Sequence, residues 1–205
     1  MLAFIYSTIN AGKTANLILS AHACNERGIN NLIFVPSVAS GRDGFNKVSS
    51  RIGIHQDAIS VTENDNIYEM VHKMLIDKST KLPIQVVFVD EAQFLTLNQV
   101  VQLTQIADSL DIQVHAYGLR SDFKGEPFEA SKYLLSWADK IEEVKTWAEN
   151  SHTAKKAIMN IKVDENGNRI SDGDSVSVGF GYKAVTRNEF NIAKNWKKLS
   201  SNTEQ

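Results

Sequence analysis

The stretch Leu2-Ala3-Phe4-Ile5-Tyr6-Ser7-Thr8-Ile9-Asn10-Ala11-Gly12-Lys13-Thr14 passes from an apolar run of strand length into a loop of small and polar residues. A segment of helical spacing follows over residues 14–26, with Leu17, Ile18 and Ala21 on one side and Gly28 as its stop. Strand, loop and helix form the setting that the phosphate motif G-x-x-x-x-G-K-[ST] requires. Backbone N–H groups of the loop (Ser7, Thr8, Ile9, Asn10 and Ala11) and of the helix start converge on phosphate oxygens. Gly12 lets the main chain approach closely, Lys13 carries charge to the β- and γ-phosphates, and the Thr14 hydroxyl can ligate Mg²⁺. One position departs from the pattern, since Ser7 stands where the first glycine belongs.

The second half of such a site lies in Val86-Val-Phe-Val-Asp90-Glu91, four apolar strand residues that end in two acids. An aspartate at the end of a buried strand holds the Mg²⁺ end of the nucleotide, which is the role expected of Asp90. Glu91 is placed where a carboxylate can take a proton from an attacking hydroxyl or water. Together the two segments predict a P-loop nucleotide site, and they fit ATPases as well as kinases.

Outward from these segments, apolar runs alternate with helix-period segments. Residues 31–35 read as a strand closed by Pro36, 37–53 as a loop, and 65–77 as a helix with Ile67, Met70, Val71, Met74 and Leu75 at helical spacing. Residues 85–90 are the clearest buried strand, followed by a helix over 98–110 and a strand over 112–117. This rhythm predicts βαβ units and a mainly parallel sheet covered on both faces. It runs out near residue 145. Beyond it, 157–163 and 175–178 read as a β-hairpin about the turn at 164–168, and 188–199 as a last amphipathic segment. The expected division is an α/β nucleotide-binding domain over 1–145, a small β-rich lobe over 146–199 and a polar tail over 200–205.

The 205 residues are 42% hydrophobic and 22% charged, with a formal net charge of −2. That balance argues against a nucleic-acid partner, which would call for a basic excess. No run approaches the ~20 apolar residues of a membrane span, and no signal-like leader is apparent. The expectation is a cytoplasmic protein with neither nucleic-acid nor membrane partner. Cys24 is the single cysteine, so an intrachain disulfide is excluded.

Asn10-Ala-Gly-Lys-Thr14, Ser49-Ser-Arg-Ile-Gly53, Val89-Asp-Glu-Ala-Gln-Phe-Leu95, Tyr117-Gly-Leu-Arg-Ser-Asp-Phe-Lys-Gly125 and Phe128 to Lys140 occur in the order and approximate spacing of one family. In these segments the chain resembles thymidine kinases of the cellular and bacterial type, over residues 5 to about 160. The resemblance implies a RecA-like α/β P-loop core and a small lobe whose "lasso" loop closes over thymine. It implies a homotetramer that transfers the γ-phosphate of ATP to the thymidine 5′-hydroxyl with Mg²⁺. The alternative is a P-loop ATPase, or a relative that kept the fold and lost the chemistry. Carried over residue by residue, Lys13, Thr14 and Asp90 keep the roles given above, and Glu91 matches the general base. Phe94 and Phe128 match aromatics of the thymidine pocket. Val178, Gly179 and Tyr182 match the end of the lasso, where the base is read largely through the main chain.

Many relatives hold the small lobe with a structural zinc bound by two close pairs of Cys or His. Here those positions fall at Ala148, Ser151 and Thr153, flanking His152, and at Thr186 and Glu189. Hydroxyl oxygens are poor zinc ligands, so zinc is expected to be absent. Packing by Trp147, Phe190 and Trp196 would then hold the lobe. A lobe looser than in relatives would raise the thymidine KM more than the ATP KM. A second departure is Ser40-Gly-Arg42, where relatives often carry Asp-x-Arg.

Overall fold

The computed structural model describes residues 1–40, 46–77, 83–149, 154–173 and 181–194, without the side chains of residues 40 and 192–194. The described chain divides into two compact units. One comprises Met1–Tyr6, Gly12–Arg120 and Phe128–Val144; the other gathers Ser7–Ala11, Ser121–Pro127 and the residues from Lys145 onward.

The first unit is built on a six-stranded parallel sheet of order β5-β2-β6-β7-β1-β8. Its strands are β1 (Leu2–Ser7), β2 (Asn30–Pro36), β5 (Ile59–Val61), β6 (Ile84–Val89), β7 (Gln113–Leu119) and β8 (Lys140–Glu143). Side chains alternate across such a strand, and β6 shows the consequence. Val87 and Val89 join one apolar cluster with Leu2, Phe4, Phe34 and Val114, while Val86 and Phe88 join a second with Ala3, Ile5, Ile33 and Val35. The first cluster is sealed by α3 (Ile67–Ile76), α4 (Leu97–Ser109) and α5 (Glu129–Trp137), through residues such as Val71, Leu103 and Leu134. The second is sealed by α1 (Lys13–Glu26), through Leu17, Ile18 and Ala21. A sheet covered on both faces explains why its inner strands β1, β6 and β7 and the buried half of β2 read as apolar runs.

Helix limits follow local chemistry. Thr96 and Gln99 form a reciprocal capping box at the start of α4. Asn66 caps α3. Gly28, at φ 68°, ends α1 while its N–H donates to the Asn25 carbonyl. The segment 37–53, expected to be a loop, contains more structure than that. It starts with a single helical turn, α2 (Ser37–Ser40), and carries β3 (Lys47–Ser49), which pairs antiparallel with β4 (His55–Asp57).

The second unit holds a three-stranded antiparallel sheet of order β10-β9-β11, made of β9 (Met159–Val163), β10 (Arg169–Ile170) and β11 (Gly181–Val185). The expected hairpin exists, but β9 pairs across the 164–168 turn with Arg169–Ile170. The expected partner, 175–178, lies outside the described residues. Asp164 organises that turn by accepting from the N–H groups of Asn166 and Asn168. The closing helix, α6 (Arg187–Lys194), buries Phe190 with Ile161, Val163 and Val185.

Candidate active site

Position 7 is the last residue of β1, and the left-handed conformations of the loop fall on Asn10 (φ 58°) and Gly12 (φ 82°). A glycine is therefore not needed at Ser7, and asparagine is among the few side chains that tolerate φ above zero. Gly12 then starts α1, with no side-chain cap at its N-terminus. The first turn of a helix has N–H groups without intrahelical acceptors, and here it presents Lys13 and Thr14.

At the C-terminal end of β6 the chain turns sharply. The Asp90 N–H donates to the Phe34 carbonyl at 2.9 Å, and Glu91 adopts a left-handed conformation (φ 49°, ψ 38°) before a 3₁₀ turn over Ala92–Phe94. A non-glycine residue at that φ is strained by about 1 kcal/mol. The Thr14 hydroxyl donates to Asp90 Oδ2 at 2.8 Å. Asp90 Oδ1 is buried without a hydrogen-bond partner. Burial, and then the Glu91 charge, push the Asp90 carboxyl up to about 7 against the opposing pull of Thr14 and Lys13. Burial holds the Lys13 ammonium below the ordinary lysine value, while Glu91 and Asp90 push it back up. A buried carboxylate with an orphaned oxygen, adjacent to a hydroxyl, fits the hard-oxygen preference of Mg²⁺.

Behind Glu91 lies a residue to which sequence reasoning gave no role. The Gln93 amide is buried, with Nε2 donating to Glu91 Oε2 and Oε1 accepting from the Leu119 N–H at 2.9 Å. One turn on, Phe94 meets Phe128 edge-to-face, ring centroids 5.7 Å apart and planes at 83°. These two expected pocket aromatics are brought together, both half-buried. Arg120 instead places its guanidinium 5.6 Å from the centroid of the Tyr6 ring.

In the second unit, residues 7–11 are held by polar side chains. Asn160, buried in β9, accepts from the Ile9 N–H at 3.0 Å and donates to the Ser121 carbonyl at 2.9 Å. Asn10 donates to Glu149 Oε1 at 3.1 Å, and Glu149 also accepts from the Ala184 N–H. Neither Asn160 nor Glu149 was singled out from sequence. The available signal for Asn160 was a polar residue within the apolar strand Met159-Asn-Ile-Lys-Val163. Tyr182 lies on β11 with its ring centroid 6.4 Å from that of Phe123. Val178 and Gly179 lie outside the described residues.

The positions at which relatives carry zinc ligands have other tasks among the described residues. Thr186 and Glu189 cap α6 reciprocally: the Thr186 N–H donates to Glu189 Oε2 at 2.7 Å and the Glu189 N–H to Thr186 Oγ1 at 3.2 Å. Ala148 is buried with Ala157, Ala184 and Ile9. Ser151, His152 and Thr153 lie outside the described residues, as do Arg42, Trp196 and the side chain of Ser40. Phe190 packs the lobe as expected and carries the Arg169 guanidinium 4.3 Å from its ring centroid. Trp147 does not pack there, being 66% exposed. Among the described residues no helix is long and apolar enough to cross a membrane.

A family model described as thymidine kinase matches residues 1–190. The thymidine kinase of Coxiella burnetii is 42% identical over 196 residues, covering 94% of this chain and 96% of that protein. The thymidine kinase of Rhodopirellula baltica is 45% identical over 195 residues, covering 94% of this chain and 88% of its own length. Among solved structures, an ATPase domain aligns with 92% of this chain and 82% of its own, with a TM-score of 0.47 and 16% identity, a likeness too loose to bear on function.

Proposed function

This chain belongs to the thymidine kinase family, and from that premise we propose that it moves the γ-phosphate of ATP onto the 5′-hydroxyl of thymidine, giving dTMP and ADP. The observation that carries the proposal is the cluster of Thr14, Asp90 and Glu91 beside Lys13, where a hydroxyl, an orphaned carboxylate oxygen and a second carboxylate converge at the start of α1.

The donor's phosphates sit on the loop Ser7–Thr14, with Lys13 supplying positive charge at the β- and γ-phosphates. Thr14 and Asp90 would hold Mg²⁺, which offsets negative charge on the phosphates when bound. Glu91 accepts the proton of the 5′-hydroxyl as its oxygen bonds to the γ-phosphorus and the bond from that phosphorus to the β–γ bridging oxygen breaks. Phe94 and Phe128 supply an apolar face for the thymine. By family resemblance Val178, Gly179 and Tyr182 match the segment that reads the base, and exclusion of water from the acceptor suppresses transfer to water. Zinc plays no part in this scheme. Family membership alone supports a homotetramer acting in the cytoplasm; light scattering that gives a mass other than four chains would remove the tetramer.

The deciding experiment supplies ATP, Mg²⁺ and a panel of nucleosides, and identifies the 5′-monophosphates formed. Thymidine should give dTMP and one ADP per dTMP. ADP released at the same rate with and without nucleoside would replace this reading with an ATPase.

A further inference from the structure

We propose that Gln93 is a positioning residue whose amide locks the Glu91 carboxylate in one orientation by tying it to the end of β7. The inference rests on Glu91 being the base. It begins with the partners of the amide. The Leu119 N–H can only donate, so the end of the amide facing it, at 2.9 Å, must be the oxygen. The NH₂ end is thereby aimed at Glu91 Oε2, an acceptor. No choice of amide flip is left open, because both partners demand the same assignment.

The surroundings are shaped for this side chain. Gln93 is 3% exposed, and an unpaired amide at that depth is costly. Gly118 has an ordinary negative φ, so its backbone does not call for glycine. The space does: a Cβ there would lie 2.9 Å from Gln93 Oε1 and 3.2 Å from the Gln93 backbone nitrogen. The missing side chain at 118 is what lets the amide reach the β7 main chain. Glu91, by contrast, is only half-buried, and its side chain has three rotatable bonds. A base that samples several rotamers spends little time aimed at the reacting hydroxyl, and small misplacement of a catalytic group costs about 10²-fold in rate.

No other residue of similar size serves both partners. Glutamate retains the acceptor for Leu119 but faces Glu91 with a second carboxylate. Methionine satisfies neither. The test therefore uses Gln93→Glu and Gln93→Met, each also in a Glu91→Gln background, with kcat, both KM values and the thermal midpoint measured. In the natural background, both variants should lose about 10- to 100-fold in kcat, with the ATP KM changed less than about twofold. On the base reading, Glu91→Gln alone loses about 10²- to 10⁴-fold. Adding Gln93→Met to it should cost less than about threefold more, since no base is left to aim. Equal losses in the two backgrounds, or a fall in thermal midpoint with kcat preserved, would overturn the positioning role while leaving Glu91 as base. Should Gln93→Met fail to fold, Gln93→Glu carries the same comparison. Full activity of Glu91→Gln by itself would remove the base, and the positioning role with it.

Discussion

Ser7 occupies a strand position, and the conformations for which a phosphate loop needs permissive residues fall three and five places later, on Asn10 and Gly12. Replacing Ser7 by Gly should leave kcat and the ATP KM within about twofold and lower stability by roughly 0.5–1 kcal/mol, the cost of a glycine in a strand. A several-fold gain in ATP affinity in that variant would show instead that the serine impairs the loop. Lys13, Thr14, Asp90 and Glu91 were legible in the sequence because their chemistry is carried by neighbours within each motif. Gln93 and Asn160 were not. The partner that fixes the Gln93 amide lies 26 residues away, and the two partners of Asn160 lie 39 and 151 residues away, so only the folded chain assigns them a task.

Among elements, β1, β2, β6 and β7 were readable as apolar runs, whereas β8 is mostly charged, and β3, β4, β5 and β10, with three, three, three and two residues, are too short to show a period. The same limit hid Arg169–Ile170, which pairs with β9 across the 164–168 turn. The capping box of α6 joins Thr186 to Glu189, and Thr186→Ala should cost about 1 kcal/mol. This would appear as a lower thermal midpoint, insensitive to added chelator; an unchanged midpoint would dismiss the cap as a contributor. On β7, His115 is half-buried against Phe88. Burial holds its imidazole below 6.5, with Glu142 raising it and Lys140 and the N-terminal ammonium lowering it. As pH falls below about 6.5, the unfolded chain takes up this proton before the folded one, so His115 makes stability decline towards acid. His115→Gln should flatten that part of the curve of thermal midpoint against pH, and an unaltered slope between pH 6.5 and 5 would exclude His115 as its source.

For the molecule as a whole, the division into units does not follow the order of the chain. Residues 7–11, five of the eight residues of the phosphate loop, cluster with Ser121–Pro127 and the residues from Lys145 onward, and Asn160 and Glu149 hold them there. Loosening this unit should therefore raise the ATP KM as well as the thymidine KM, in place of an effect weighted to thymidine. Asn160→Leu, which strips the Ile9 N–H and the Ser121 carbonyl of their partner, tests this: both KM values should rise several-fold, and an ATP KM that stays put while thermal stability falls would refute the coupling. The hydrogen bonds from Asn160 and Glu149 to the loop also bear on how such a chain can be taken apart. A fragment ending at residue 144 would keep every residue of the parallel sheet, yet its nucleotide cradle would have lost its scaffolding. On the proposed function, donor and acceptor recognition are thus not separable cassettes, and a graft of this lobe onto another kinase would have to carry the first strand–helix junction with it.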